Sequence, residues 1–239
     1  MHKNRVLNHV EYKLPRQEIS EKLSKFCAKK VKENKIYVPA TRKNLAKLAK
    51  ILEKIKEDGL PEYLVLKKLE HNLGHGIFLH PEADPILKGE FIAPYSGKVF
   101  LFPQNEEYDS DYMFTLLSDL RLTMEEQQEW NPDNAFHPRR LYSVYLDADK
   151  KGNFTRFINH SGKPNIEATF LRIPTNSVSL LPSPCEIIYT AKKNIQPGEQ
   201  LLVSYEGEEK SYWGPMKIKP FPMTPQTFQI TSSLELVSK

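Results

Sequence analysis

The chain has 239 residues, 39% of them hydrophobic and 27% charged, which gives room for one domain with a sizeable core. No apolar run approaches the roughly 18 residues that cross a bilayer, and Met1 to Gln17 lacks the apolar stretch of a Sec-type signal peptide. Two cysteines, Cys27 and Cys185, exclude a disulfide framework and a cysteine-rich zinc site, and a net charge of +4 makes the chain only mildly basic.

The charge is uneven: Lys22 to Lys68 is dense in lysine, while Glu106–Asp111 and Glu206–Glu209 are acidic. Residues 1–60 read as a helical N-terminal extension. Pro15–Glu33 carries Ile19, Leu23, Phe26 and Cys27 at helical spacing. A second helix is predicted after a Thr41 cap, with a stripe of Leu45, Leu48, Ala49, Leu52 and Ile55 and a stop at Gly59 and Pro61. Such a stripe belongs to an amphipathic helix packed on the rest of the protein.

From Tyr63 the texture changes to short strand-like runs. These are Tyr63–Leu66, Gly76–Leu79, Phe91–Tyr95, Tyr112–Leu116, Tyr142–Leu146, Ile187–Thr190 and Leu201–Val203. Glycine and proline separate them at Gly74, Gly89, Gly97, Gly152, Pro164 and Pro197–Gly198. Ser118–Leu141 reads as a polar insert containing a short helix at Met124–Glu129. Residues 209–239 carry Pro215, Pro220, Pro222 and Pro225 and predict little regular structure.

Three segments carry chemistry. In Leu73-Gly74-His75-Gly76-Ile77-Phe78, two glycines allow a tight turn and close backbone approach to a ligand; taken alone, the segment favours an ordinary tight turn. In Gly152-Asn153-Phe154-Thr155-Arg156-Phe157-Ile158-Asn159-His160-Ser161, polar side chains are interleaved with apolar ones and must find partners or bind something. A loop rich in Asx-turns satisfies that demand too. One histidine without neighbouring carboxylate or thiol ligands makes a poor metal site. Adjacent His160 and Ser161 make an unsuitable nucleophile–base pair. In Pro197-Gly198-Glu199-Gln200-Leu201-Leu202-Val203-Ser204-Tyr205, a turn leads into an apolar strand ending at a tyrosine, which by itself is equally a tyrosine capping a core.

Together, and in this order, the segments resemble the SET-domain family over residues 62–208. The central segment is similar to that family's D-A…G-N-x-x-R-F-x-N-H-S-C-x-P-N, here beginning at Asp147-Ala148 and ending at Pro164-Asn165. The resemblance implies a mainly β fold of small curved sheets with a C-terminal pseudoknot over 61–208, and a protein-lysine methyltransferase using S-adenosylmethionine. It implies cofactor contacts at Gly74, His75, Gly76, Arg156, Asn159, His160 and Tyr205. It places catalytic tyrosines at Tyr205, the methyl-transfer centre, and Tyr112, which lines the lysine channel. Tyr145 lies near a cofactor-contacting tyrosine of the family, offset by one from Asp147. The family's Cys is Gly162 here and no cysteine follows Cys185, so a zinc-clamped lid is absent and no metal is implied; Tyr212 and Trp213 are candidates to close the site. Val203 stands where relatives often carry a larger ring that limits methyl count, so more than one methyl per lysine is expected.

The compact form resembles the chlamydial SET proteins. That likeness implies a basic protein substrate, histone or bacterial histone-like. It also implies residence in a bacterial cytoplasm or delivery to a host nucleus. Acidic residues beside both tyrosines, at Glu106–Asp111 and Glu206–Glu209, suit a basic peptide. The competing reading is a chromatin or nucleic-acid binding module, in which the lysine-rich N-terminal helices make weak DNA contact.

Overall fold

The computed structural model describes residues 37–70, 74–104, 110, 112–130, 138–150, 152–172 and 185–205. The Pro15–Glu33 helix, both acidic patches except Ser110, and Tyr212 and Trp213 lie outside the described residues. Among the described residues, no helix is long and apolar enough to cross a membrane.

The strands are β1 (Val38–Pro39), β2 (Leu64–Lys68), β3 (His75–Leu79), β4 (Phe91–Pro94), β5 (Lys98–Pro103), β6 (Met113–Leu120), β7 (Tyr142–Asp147), β8 (Asn159–His160), β9 (Ile166–Arg172), β10 (Cys185–Ala191) and β11 (Leu202–Val203). Among the described residues they form four small sheets, ordered β1-β9-β10-β4, β5-β7-β6, β2-β3 and β8-β11. β9 and β10 are paired antiparallel along their whole length, from Cys185 opposite Arg172 to Ala191 opposite Ile166. Residues 1–60 are not helical throughout, because Val38 and Pro39 pair in parallel with Leu171 and Arg172 and close that edge of the sheet. Two residues carry no period, so this strand has no signature in the sequence.

The helix α1 (Arg42–Asp58) starts where the Thr41 side chain accepts the Asn44 N–H, and ends at Gly59, whose φ of 69° is open to glycine. Its apolar stripe is a packing face: Leu48, Leu52 and Ile55 are buried in one cluster with Ile77, Ile92, Leu146 and Ile187. Burying such side chains contributes about 1.5–3 kcal/mol each. A second helix, α2 (Met124–Trp130), begins with a reciprocal cap, in which Glu126 N–H donates to Thr123 Oγ1 and Thr123 N–H donates to Glu126 Oε2. It sits in the connection between the antiparallel neighbours β6 and β7, as an insert between strands should.

The polar loop before β8 is fixed from within. Asn153 is fully buried; its amide donates to Pro94 O at 2.8 Å and its Oδ1 accepts from Thr155 N–H at 3.1 Å. A 3-10 turn, Phe154–Phe157, follows and delivers the chain to Asn159.

Candidate functional site

The three motif segments converge. β3 runs antiparallel to residues 198–201: Leu201 N–H donates to Ile77 O, and Leu79 N–H to Glu199 O. That segment continues into β11, which pairs in parallel with β8, Leu202 opposite Asn159 and Val203 opposite His160. Asn165 clamps the junction, since its amide donates to Gln200 O at 2.7 Å and its Oδ1 accepts from Leu202 N–H at 2.8 Å. Ser161 N–H donates to Val203 O at 2.9 Å. These two short strands thus carry Asn159, His160 and the approach to Tyr205.

Tyr205 is held at both ends. Its N–H donates to His160 Nδ1 at 3.0 Å and its hydroxyl donates to Ile158 O at 2.8 Å. The first bond fixes a neutral His160 with its proton on Nε2. The second uses the phenol's only proton on a backbone carbonyl, so the oxygen offers lone pairs to any further ligand. Asn159 ties the loop to the first motif: its amide donates to His75 O at 2.8 Å and Phe157 O at 3.1 Å. Both amide hydrogens are then used, and the side-chain carbonyl is left as an acceptor.

The two glycines do different work. Gly74 has φ 76°, which only glycine adopts readily, and its carbonyl accepts Leu69 N–H to close the β2–β3 hairpin. At Gly76, a Cβ would lie 2.7 Å from Gln200 Nε2 and 3.0 Å from Leu69 Cδ2. The close approach that Gly76 permits is therefore to Gln200, a partner within the chain.

Tyr112 occupies a second part of the site. Its N–H donates to Ser110 Oγ, whose hydroxyl donates to the buried Asp147 carboxylate at 2.6 Å. Its carbonyl accepts the Tyr95 hydroxyl at 2.8 Å and Ala148 N–H at 3.0 Å. The Arg156 guanidinium lies over its ring, 4.4 Å from the centroid. Arg156 donates from Nη1 to Asp149 O at 2.7 Å, and its buried Nε has no partner.

Sequence reasoning leaves Tyr95 and Tyr189 out of this site. Tyr95 packs edge-on against Phe114 at 4.7 Å and Tyr189 at 5.9 Å. Burial drives the Tyr95 hydroxyl pKa well above its ordinary value; Tyr205 and Asp147 push the same way, and Arg156 opposes them. Tyr189 is shifted up first by burial, then by Tyr95 and Tyr205. Both remain protonated phenols, and Tyr95 links their packed rings to Tyr112 through its hydroxyl. Tyr95 closes a predicted strand and precedes Ser96-Gly97, and only its cross-sheet partners distinguish it from a core tyrosine.

The donor set suits a zwitterionic ligand with a cationic centre. The Asn159 carbonyl would accept from an ammonium, the Arg156 Nε–H would donate to a carboxylate, and His160 would offer a polar ring edge. S-adenosylmethionine fits that set in its amino, carboxylate and base groups.

The SET domain family pattern matches residues 82–206, which takes in the central and last segments and begins after Gly74–Gly76. The chain is 27% identical over 143 residues to SET domain-containing protein 4 of Saccharomyces cerevisiae, covering 59% of this chain and 22% of that protein. It is 27% identical over 129 residues to the histone-lysine N-methyltransferase SETMAR of Mus musculus, covering 51% of this chain and 34% of that one. The chain thus spans about a third or less of these relatives' length. A crystal structure of ATXR5 in complex with histone H3.1 mono-methylated on R26 aligns with TM-score 0.49 and 19% identity, over 74% of this chain and 71% of that one. The chain belongs to the SET domain family.

Proposed function

We propose that this chain is an S-adenosylmethionine-dependent protein-lysine N-methyltransferase acting on histones or histone-like basic proteins. The observation that carries the reading is Tyr205, bonded through its N–H to His160 and through its hydroxyl to Ile158, on either side of Asn159. Family membership and relatives named as histone-lysine methyltransferases support it.

When bound, the cofactor supplies a methyl group on a sulfonium. Asn159, His160, the His75–Gly76 backbone after the Gly74 turn, and Arg156 bind it. Tyr112 and Tyr205 line the lysine site. Transfer is an in-line displacement that needs alignment more than proton transfer. The incoming lysine must be neutral, and its ordinary pKa is near 10.4. Aromatic walls and a neighbouring positive charge both disfavour the ammonium. Tyr205 presents oxygen lone pairs to the amine and the methyl hydrogens. A general-base role suits it poorly, because a phenolate would surrender its bond to Ile158 O and face that carbonyl as an anion. The parallel β8–β11 pair supports the pseudoknot crossing that the family resemblance implies.

The test is transfer of labelled methyl groups to mixed basic proteins, with cofactor binding measured separately. Tyr205→Phe is expected to lower transfer by about two orders of magnitude while cofactor binding persists. Undiminished transfer by Tyr205→Phe sinks the assignment. Absent transfer by the unmodified chain, with salt-sensitive DNA binding instead, selects the nucleic-acid module. Val203 is buried opposite His160 and is smaller than an aromatic ring. Mass spectra of the product should therefore show dimethyl- or trimethyl-lysine; monomethyl-lysine alone refutes the Val203 reading.

A further inference from the structure

The family resemblance gives Arg156 to the cofactor, and its guanidinium also engages Tyr112, Phe157 and Asp149. Its guanidinium carbon lies 4.4 Å from the Tyr112 ring centroid and 5.6 Å from that of Phe157. Nη1 is tethered to Asp149 O at 2.7 Å, and Nη2 lies 4.0 Å from the Asp149 carboxylate. The Tyr112 backbone is fixed by Ser110, Tyr95 and Ala148, and none of those bonds restrains the ring.

We infer that Arg156 is a positioning residue for the lysine site: its planar guanidinium, pinned by Asp149, holds the Tyr112 ring in place as a channel wall. The inference rests on the methyltransferase reading, which makes Tyr112 such a wall. A cation against a ring face is held most firmly where water is excluded, and Arg156 is only 22% exposed. Lysine cannot substitute, because its ammonium is a point charge without the planar face or the fork that engages Asp149. The permanent charge has a second consequence. Together with the sulfonium it disfavours the ammonium form of an entering lysine. The Asp149 carboxylate, 4.0 Å from Nη2, offsets part of that charge.

The experiment uses the full chain with Arg156→Lys, Tyr112→Ala and the double variant. Three quantities are read: the KM of a basic lysine peptide that the wild type methylates, the Kd of S-adenosylhomocysteine, and the ring resonances of isotopically labelled tyrosines, with Tyr112 assigned from Tyr112→Phe. In Arg156→Lys the Tyr112 ring signal should move and peptide KM should rise about tenfold, beyond any change in the Kd. In the Tyr112→Ala background the same replacement should leave KM unchanged, because the effect runs through that ring. KM and the Tyr112 signal both unmoved overturn the inference and leave Arg156 to the cofactor alone. Absence of transfer by the wild type overturns the methyltransferase reading and the role within it, and the ring signal distinguishes that failure from loss of the contact.

Discussion

Asn165 spends both ends of its amide on one neighbouring strand, and it is fully buried. Replacing it with alanine strands Gln200 O and Leu202 N–H away from water. Each orphaned group costs about 1–3 kcal/mol, so Asn165→Ala should lose about 3 kcal/mol in urea unfolding and release Tyr205 from its register. A loss under about 1 kcal/mol would show that the strand pairing holds without it. Asn159, His160 and Tyr205 were legible as residues, because polar side chains among Phe157, Ile158 and Leu202 demand partners. Which partner each takes was not legible. The Ile158 carbonyl that receives the Tyr205 hydroxyl has no signature in a sequence, and Tyr95 enters the site only through contacts made across sheets.

At the scale of elements, α1 is the clearest case of a pattern converted directly into packing. Thr41, the apolar stripe and Gly59 fall where local chemistry puts them. Ile51 also packs against the core, beside the predicted stripe. Leu48 is wholly buried, so Leu48→Ala should cost about 3 kcal/mol, read as a shift in denaturant midpoint. Thr41→Ala should cost about 1 kcal/mol by the same measurement, since only one capping bond is lost. Strands β5 and β9 escaped the sequence reading: β5 ends in proline, and β9 interleaves Glu167 and Thr169 with apolar residues beside the Pro164-Asn165 turn. β8 and β11 are two residues each, and their existence depends wholly on meeting one another.

For the whole molecule, the buried tyrosines set an alkaline limit. Burial, with help from Glu90, raises Tyr63 to about 12, and burial also pushes Tyr95 and Tyr189 well above their ordinary value. In the unfolded chain all three ionise near pH 10, so there the unfolded state binds fewer protons than the folded one. Their stabilising contribution is whole below pH 10 and is lost as pH rises towards the folded values. Denaturant midpoints should be flat in this respect at pH 8 and fall above pH 10. Tyr95→Phe should cost about 1 kcal/mol at pH 8, from the bond to Tyr112 O, and decline less steeply above pH 10. An unchanged slope would mean that Tyr95 ionises as freely folded as unfolded.

The pairing of β8 with β11 joins positions more than forty residues apart, and everything Tyr205 touches depends on it. A growing chain that has emerged only as far as β10 already contains Asn159, His160 and Tyr112, yet it has no floor for a ligand to rest on. A truncation just before Leu202 removes β11 and leaves β8 without the strand it pairs with.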